Sequence, residues 1–312
     1  MATTSQTAIN QAVSLHQAGK LAEAERLYGK ILKKERKNFP AQYMLAVLLY
    51  QQQRHPAALR AVELALKLNP EASEALSLHA VLALNAKQYE KALASISKVV
   101  ARAPRDAEAW HNRGVILMEL RRFDEAVESF DKALALRPSI EAWTNRGAAL
   151  LKLRRDEEAL NDFDRALAVK PDFVGALYSR ANALMELNRH EDAVAAFDKV
   201  LVHAHTSFEA WSNRGAALRD LARFEDALAS YNKAIEIRAD YSPAWTNRGK
   251  ILQSLRRYDD ALASFDNAVT LAPDSLEAQH ARALALRTLH RLEDALAAVD
   301  RAIAIQPDFL PS

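Results

Sequence analysis

The stretch AEAWHNRGVILMELRRFDEAVESFDKALALRPS, residues 107–139, sets a pattern that returns along almost the whole chain. Its position 20 is alanine, and alanine recurs there in steps of 34 residues with one step of 33: Ala24, Ala58, Ala92, Ala126, Ala159, Ala193, Ala227, Ala261 and Ala295. A fixed period of this length predicts a stack of similar structural units. It divides the chain into nine repeats, with the bounds 5–38, 39–72, 73–106, 107–139, 140–173, 174–207, 208–241, 242–275 and 276–309.

Within one repeat, apolar residues follow helical spacing in two segments. Positions 4, 8 and 11 form one stripe, positions 17, 20, 24 and 27 form another, and a polar turn fills positions 15 and 16. Each repeat is therefore predicted to be a helical hairpin. Position 8 is small and position 24 is bulky, so we expect the two to face each other across the hairpin. Proline at position 32 of six repeats is expected to end the second helix.

A single hairpin cannot bury its apolar stripe, so each repeat is expected to stack on its neighbours. The predicted fold class is all-α, a right-handed superhelical solenoid of about nine hairpins. Because contacts would reach only adjacent repeats, we expect one elongated domain over residues 1–312, without a compact globular core.

Two strings carry a family resemblance: AWHNRG at Ala109–Gly114 and AWSNRG at Ala210–Gly215. With these motifs, the chain resembles the tetratricopeptide repeat (TPR) family from Ser5 to Phe309. The resemblance implies a scaffold that binds proteins or peptides. It implies no particular partner, because TPR arrays serve many unrelated systems.

Composition excludes several classes of protein. The sequence has no cysteine, which removes disulfide frameworks and thiolate metal sites, and its 42 basic and 40 acidic residues are too balanced for nonspecific nucleic-acid binding. No stretch approaches the roughly 18 apolar residues of a membrane-spanning helix, so we expect no membrane insertion. Met1–Thr7 lacks the basic start and apolar core of a secretory signal, and we expect a cytoplasmic protein.

Residues outside the repeat pattern do not predict catalysis. None of the seven glycines builds a phosphate-binding loop or a nucleophile elbow. His203 and His205 lie in an irregular link, where we expect no metal site. Acidic pairs such as Asp124 and Glu125 open second helices, where the helix dipole favours negative charge. We expect a non-catalytic chain with no cofactor and no metal.

Positions 7 and 25 change together along the chain. Position 7 is arginine in repeats four to nine but not in the first three, and position 25 is aspartate or asparagine in the same six repeats. We hypothesise a bridge between the two helices of each later repeat, such as Arg146 with Asp164, that orients the hairpin.

Asparagine recurs at position 6, on the inner face of the first helix that the hairpin core leaves free. An amide has both donor and acceptor, so it can pair with the N–H and C=O of an extended peptide. First helices about 8–10 Å apart would offer one amide to roughly every third residue of a bound strand. Ser179 interrupts the row, and Asn182 lies on nearly the same face. The proposed peptide-binding residues are Asn112, Asn145, Asn182, Asn213 and Asn247. The alternative is that these amides serve helix-end hydrogen bonds.

This row resembles the inner asparagines of the TPR region of O-linked N-acetylglucosamine transferase and its bacterial relatives, which hold substrate peptides. The matching residues are Asn112, Asn145, Asn213 and Asn247, and the row departs from that pattern at Met44, Leu78, Ser179 and Ala281. The resemblance implies the substrate-recognition arm of a larger glycosyltransferase. The sequence after repeat nine begins another link and stops, which favours a piece of a longer protein over a freestanding one with a frayed last helix.

Repeats two and three carry apolar groups on the inner face. We call them the apolar inner patch: Tyr43, Met44, Val47, Tyr50, Leu78, Val81 and Leu84. Such a patch, if exposed, would dock an apolar partner segment or a second copy of the chain. Alternatively, tighter local curvature buries it. The sequence thus predicts a scaffold for proteins or extended peptides, with self-association and the transferase arm as alternatives.

Overall fold

The computed structural model describes the backbone of residues 2–306 and the side chains of residues 6–306. These residues form 18 α-helices and no β-strand, which confirms the predicted all-α class. In chain order the helices are α1 (Ala2–Gln17), α2 (Leu21–Lys34), α3 (Phe39–Gln51), α4 (His55–Leu68), α5 (Ser73–Asn85), α6 (Tyr89–Arg102), α7 (Ala107–Glu119), α8 (Phe123–Leu136), α9 (Ile140–Lys152), α10 (Asp156–Val169), α11 (Val174–Glu186), α12 (His190–His203), α13 (Phe208–Asp220), α14 (Phe224–Ile237), α15 (Ser242–Ser254), α16 (Tyr258–Leu271), α17 (Leu276–Thr288) and α18 (Leu292–Ile305). The end of repeat nine and the link predicted after it lie outside the described residues.

The chain divides into two compact units, Met1–Arg154 with α1 to α9 and Arg155–Ser312 with α10 to α18. Within each unit every helix packs against the next helix along the chain. Several first helices also contact the first helix of the following repeat, as α5 contacts α7 and α13 contacts α15. This is the contact pattern of a repeat solenoid. That residues 1–312 act as one domain stays a prediction.

The turn inside each hairpin lies at the predicted position 15, in the left-handed conformation. Arg121 has φ 57°. Its N–H donates to the Met118 carbonyl at 3.0 Å and that of Arg122 donates to the Leu117 carbonyl at 2.9 Å, which makes a Schellman motif that ends α7. The same conformation recurs once in every repeat, at Gly19, Gln53, Lys87, Arg121, Arg154, Asn188, Ala222, Arg256 and His290.

The small residue at position 8 packs against the bulky residue at position 24, as predicted. A Cβ built on Gly114 of α7 would lie 2.6 Å from Phe130 Cε1 of α8. Gly215 and Tyr231 form the same pair, with 2.9 Å from the built Cβ to Tyr231 Cε1. Both rings are fully buried. The absence of a Cβ at these two positions therefore leaves room for the ring of the facing helix.

Tryptophan at position 4 fixes the link that precedes its helix. Trp110 Nε1 donates to the Pro104 carbonyl and Trp211 Nε1 to the His205 carbonyl, each at 3.0 Å. The carbonyl in the link, which accepts no hydrogen bond within a helix, thus gains a donor. The indole is the side chain that covers apolar surface and still supplies an N–H.

The contact hypothesised between positions 7 and 25 exists, but it joins neighbouring repeats. Arg282 Nε of α17 donates to Asp266 Oδ1 of α16 at 2.6 Å. Asp164 pairs with Arg180 rather than with Arg146, so the assignment within one repeat is wrong. The reason is that position 7 turns toward the preceding second helix. The remaining pairs of this kind are Arg146–Asp131, Arg214–Asp198 and Arg248–Asn232.

Within its own repeat, the same arginine reaches a serine at position 23. Arg248 Nη1 donates to Ser264 Oγ at 2.6 Å, and Ser264 Oγ donates to the Asp260 carbonyl at 2.8 Å. Arg214 and Ser230 form the same contact at 2.7 Å. One arginine therefore ties a first helix to the second helices on both sides of it.

Candidate functional site

Asn213 of α13 shows how the inner faces of two adjacent repeats meet. Its Nδ2 donates to Tyr178 Oη at 3.0 Å and to Asn182 Oδ1 at 3.1 Å, both on α11. The structure thus brings together two of the predicted peptide-binding residues. Asn182 belongs to repeat six, where position 6 is Ser179, and its side chain contacts Asn213 of repeat seven.

The other unit repeats part of this arrangement. Asn145 Nδ2 of α9 lies 3.5 Å from His111 Nε2 of α7. His111 and Tyr178 both occupy position 5, so in each case the amide at position 6 meets position 5 of the preceding repeat. The other two predicted residues, Asn112 and Asn247, make no hydrogen bond to any described residue. All five asparagines are partly exposed.

These contacts leave much of the hydrogen-bonding capacity of the amides unused. An asparagine side chain offers two N–H donors and an oxygen that accepts twice. Asn213 uses its nitrogen and Asn182 its oxygen, so the oxygen of Asn213 remains as an acceptor. Their partners lie on the neighbouring repeat and not at the ends of their own helices.

Two ionisable groups beside the amides are shifted toward their neutral forms. The pKa of Tyr178 is raised, chiefly because burial disfavours the phenolate. The pKa of His111 is lowered, chiefly because burial disfavours the imidazolium. Both side chains are therefore neutral near pH 7, and they add uncharged donors and acceptors to the amides.

The apolar inner patch lies on α3 and α5, the first helices of two adjacent repeats. Tyr50 is 36% exposed and the other six residues are partly buried. Tyr43 stacks on Phe39 with ring centroids 6.1 Å apart, and its pKa is raised by burial and, to a lesser extent, by Glu74. The patch is thus neither fully buried nor fully open, and docking on it stays a hypothesis.

Apolar residues at one position of the patch, position 9, also occur outside repeats two and three, and the sequence analysis did not include them. Position 9 is valine in each of the first four repeats, and all four side chains are partly buried: Val13, Val47, Val81 and Val115. The 34-residue period alone was sufficient to find them. In repeats six to nine the same position holds Asn182, Ala216, Lys250 and Leu284. Position 9 is therefore uniformly apolar in repeats one to four and mixed in repeats six to nine.

Other kinds of site lack residues in the described part of the chain. Across it, no group of three or more histidine, aspartate or glutamate side chains is placed to hold a metal ion. No helix between residues 2 and 306 is long and apolar enough to cross a bilayer.

Family models described as tetratricopeptide repeat match residues 15–82, 77–139, 140–173, 174–201, 208–241 and 246–308. Two of these ranges, 140–173 and 208–241, have the bounds of predicted repeats five and seven. The chain belongs to the tetratricopeptide repeat family. A search of the curated proteins found no match.

Solved structures share the fold of this TPR protein at low sequence identity. A tetratricopeptide repeat protein from Parabacteroides merdae ATCC 43184 is 19% identical with a TM-score of 0.59, over 80% of this chain and 99% of its own. YrrB, described as a TPR protein with an unusual peptide-binding site, is 22% identical with a TM-score of 0.52, over 60% and 97%. MamA from Desulfovibrio magneticus RS-1 is 22% identical with a TM-score of 0.51, over 54% and 96%.

These likenesses establish the TPR fold and no more, since identities this low carry fold alone. The resemblance to the TPR region of the glycosyltransferase is not shown by them and stays a hypothesis.

Proposed function

We propose that this TPR chain is a non-catalytic scaffold that binds extended protein segments on the inner faces of its first helices. Asparagine amides provide the grip, in two rows: Asn112 with Asn145, and Asn182 with Asn213 and Asn247. The contact between Asn213 and Asn182 carries the proposal, because it sets amides of adjacent repeats side by side and leaves the oxygen of Asn213 as an acceptor.

The spacing of first helices suits an extended ligand. Packed helices lie about 8–10 Å apart, and a strand rises about 3.3 Å per residue. Successive amides would therefore meet every third residue of the bound segment. Their partners are the backbone N–H and C=O groups, which every non-proline residue has. Recognition in these rows is accordingly tolerant of sequence, and the neutral Tyr178 and His111 impose no charge preference.

The apolar inner patch would add side-chain selectivity on α3 and α5. The observation that favours this role is the 36% exposure of Tyr50, which lies three residues after Val47 on α3. A protein segment with apolar side chains would cover these groups and remove them from water, which is favourable by about 25 cal/mol per Å² of apolar area. YrrB, a protein of related fold, is described with a peptide-binding site of its own.

The test begins with a peptide selected on an array by the full chain and labelled for fluorescence anisotropy. We compare wild type with the double variant Asn213→Ala and Asn247→Ala. A net hydrogen bond is worth about 0.5–1.5 kcal/mol, so loss of one such bond at each of two amides should raise Kd roughly 5- to 150-fold. Asn161→Ala is the matched control, because Asn161 is an exposed asparagine on the second helix α10.

A second peptide series separates backbone from side-chain recognition. N-methylation of every third residue removes backbone donors and should abolish binding to the asparagine rows. Alanine substitution of the same peptide residues should change Kd little. If the methylated peptide binds as well as its parent, the amides do not grip the backbone and the proposal fails.

A further inference from the structure

The exposed side of two consecutive second helices, α2 and α4, is basic. Positions 22, 26 and 29 of a repeat are spaced by four and three residues, so they share one side of the second helix. In repeats one and two, every residue at these positions is exposed. We call these residues the basic face: Arg26, Lys30, Lys33, Arg60, Leu64 and Lys67. The basic face includes none of the inner-face residues of the preceding sections.

The cations at positions 22 and 29 occur only in these two repeats. Both positions are basic in repeats one and two, and neither is basic in any of the other seven. Residues 5–72 contain ten basic and five acidic residues, although the whole chain has 42 and 40. Seven repeats form the same hairpin without these cations. The hairpin therefore does not require them.

The five cations of the basic face have no partner within the protein. None of them makes an ion pair or a side-chain hydrogen bond with a residue of the described chain. Lysines at position 26 of other repeats do find acidic partners. Lys98 Nζ lies 3.7 Å from Glu71 Oε1, and Lys233 Nζ lies 2.7 Å from Glu236 Oε2. The charges of the basic face thus remain available to a ligand.

An ion pair between the two repeats brings α4 to the side of α2. Arg54, the residue before α4, donates from Nη1 to both carboxylate oxygens of Glu25 on α2 at 2.9 Å. Glu25 is therefore already neutralised by its own cation. The other acidic residues of the two helices are Glu23 and Glu63, so the five cations keep a net positive charge. Seven residues of helix rise about 10 Å, which is the length of each column of the face.

The side chains of the basic face favour a protein over the other anionic partners. The face has no aromatic residue on which the bases of a nucleic acid could stack. It also lacks the apolar stripe with which a helix enters a membrane surface, because its one apolar residue is Leu64. Leu64 lies between Arg60 and Lys67 and is 49% exposed. An apolar side chain with charged neighbours is typical of the contact surface between two proteins.

We infer that the basic face binds an acidic segment of a partner protein, with an apolar side chain among its carboxylates. The carboxylates pair with the cations of α2 and α4, and the apolar side chain covers Leu64. Because the cations are exposed, salt screens this interaction. The inference does not depend on the asparagine rows of the proposed function.

The probe for the test is a short labelled peptide of alternating aspartate and glutamate with one leucine at its centre. Its binding to the full chain is followed by fluorescence anisotropy at an ionic strength of about 0.01 M and again at about 0.15 M, where the Debye length falls from about 30 Å to about 8 Å. We expect binding that weakens strongly with salt. A peptide with asparagine and glutamine in place of the acids should not bind.

Charge reversal at position 26 tests the location of the site. Lys30→Glu should weaken binding by about 2- to 30-fold, because it removes one attraction and adds one repulsion. Lys199→Glu is the matched control. Lys199 is exposed at the same position 26 on α12, but Ala195 and Val202 stand at positions 22 and 29 there. The two variants have the same net charge, and the control should change Kd less than about twofold.

The apolar contact is tested by pairing a change in the protein with a change in the peptide. Leu64→Gln should weaken binding of the leucine peptide about threefold. It should leave binding of a peptide with glycine at its centre unchanged. The double variant Asn213→Ala and Asn247→Ala should bind the acidic peptide as wild type does. Failure of the asparagine rows and failure of this inference are thereby distinguished.

Four outcomes would overturn the inference. The acidic peptide does not bind wild type, or Lys199→Glu weakens binding as much as Lys30→Glu does. Binding to vesicles of equal parts phosphatidylserine and phosphatidylcholine, without binding to the peptide, would assign the face to a membrane. Self-association at low salt that Lys30→Glu abolishes would assign it to acidic residues of a second copy. Lys30, Leu64 and Lys199 are exposed, so their variants should melt as wild type does.

Discussion

The substitution Gly114→Ala tests the packing of position 8 against position 24. The added Cβ would lie 2.6, 2.7 and 2.8 Å from three atoms of the Phe130 ring, which is fully buried and has no room to withdraw. Overpacking of this kind costs about 1–3 kcal/mol. Alanine is also the better helix former by about 0.8–1.0 kcal/mol. The net expectation is a loss of stability between roughly zero and 2 kcal/mol.

Gly29→Ala isolates the clash from the helix preference. Gly29 also lies within a helix, α2, but a Cβ there has no neighbouring atom within 4 Å. This variant should gain about 1 kcal/mol. The difference between the two variants, about 1–3 kcal/mol, is then the cost of the contact with Phe130. Urea unfolding followed by circular dichroism measures both against wild type.

A smaller ring partner should relieve the clash. Phe130→Leu alone leaves a cavity and should destabilise the chain, but combined with Gly114→Ala it should lose less than the sum of the two single changes. The packing argument is refuted if Gly114→Ala stabilises the protein as much as Gly29→Ala does.

Three other variants test separate parts of the structure. Asp266→Ala leaves Arg282 without its acceptor in the preceding repeat. We therefore expect the free energy of unfolding to fall by about 1 kcal/mol, and by less in high salt. An unchanged urea midpoint would refute a stabilising role for this ion pair. Ala222→Gly relieves a left-handed residue, φ 56°, and should raise the melting temperature, whereas a lowered one would mean that this turn carries no strain. Burial lowers the pKa of His79 and His111 below the usual 6.5, so the unfolded chain takes up protons first as the pH falls. The stability they permit is present above pH 6.5 and is lost on acidification through that range. The variant with both histidines replaced by glutamine should therefore show a smaller difference in melting temperature between pH 7 and pH 5. An unchanged difference would assign the acid sensitivity to other groups.

The period of 34 residues was enough to predict the hairpins because the same few positions meet the same local demands in every repeat. Position 15 must end a helix in the left-handed conformation, and it does so nine times, although only Gly19 is a glycine. Position 8 must be small wherever position 24 brings a ring against it. Such demands arise within one repeat, so a single sequence with internal copies reveals them.

The partner of position 7 was not predictable by the same reasoning. Arg146 and Asp164 are 18 residues apart within one repeat, and Arg180 and Asp164 are 16 apart across a link. Both separations join antiparallel neighbours. The choice depends on how far each first helix is rotated about its axis when it packs, which is a property of the stacked repeats and not of the sequence spacing.

The candidate site could be predicted only in part from the sequence. Asparagine recurs at position 6, and this recurrence predicts a binding role for it. Position 5 holds His111, Tyr178 and other polar residues, and such unlike residues form no pattern that would predict a shared role. The structure shows that these unlike residues serve one contact, each beside the amide of the next repeat.

The contrast between constant and variable positions is itself an argument about function. Every repeat packs its hairpin through positions 8, 20 and 24, whereas the residues at positions 6 and 9 of the first helix vary in chemistry along the chain. Chance would mix them along the chain. They are instead sorted, with valine at position 9 of the first four repeats and Asn182 at position 9 of the sixth, where it joins Asn213. Sorting of residues that the fold does not require is expected when a ligand contacts them. The valines would therefore favour apolar side chains of a segment bound to the first unit, and the amide pair would favour the backbone of a segment bound to the second.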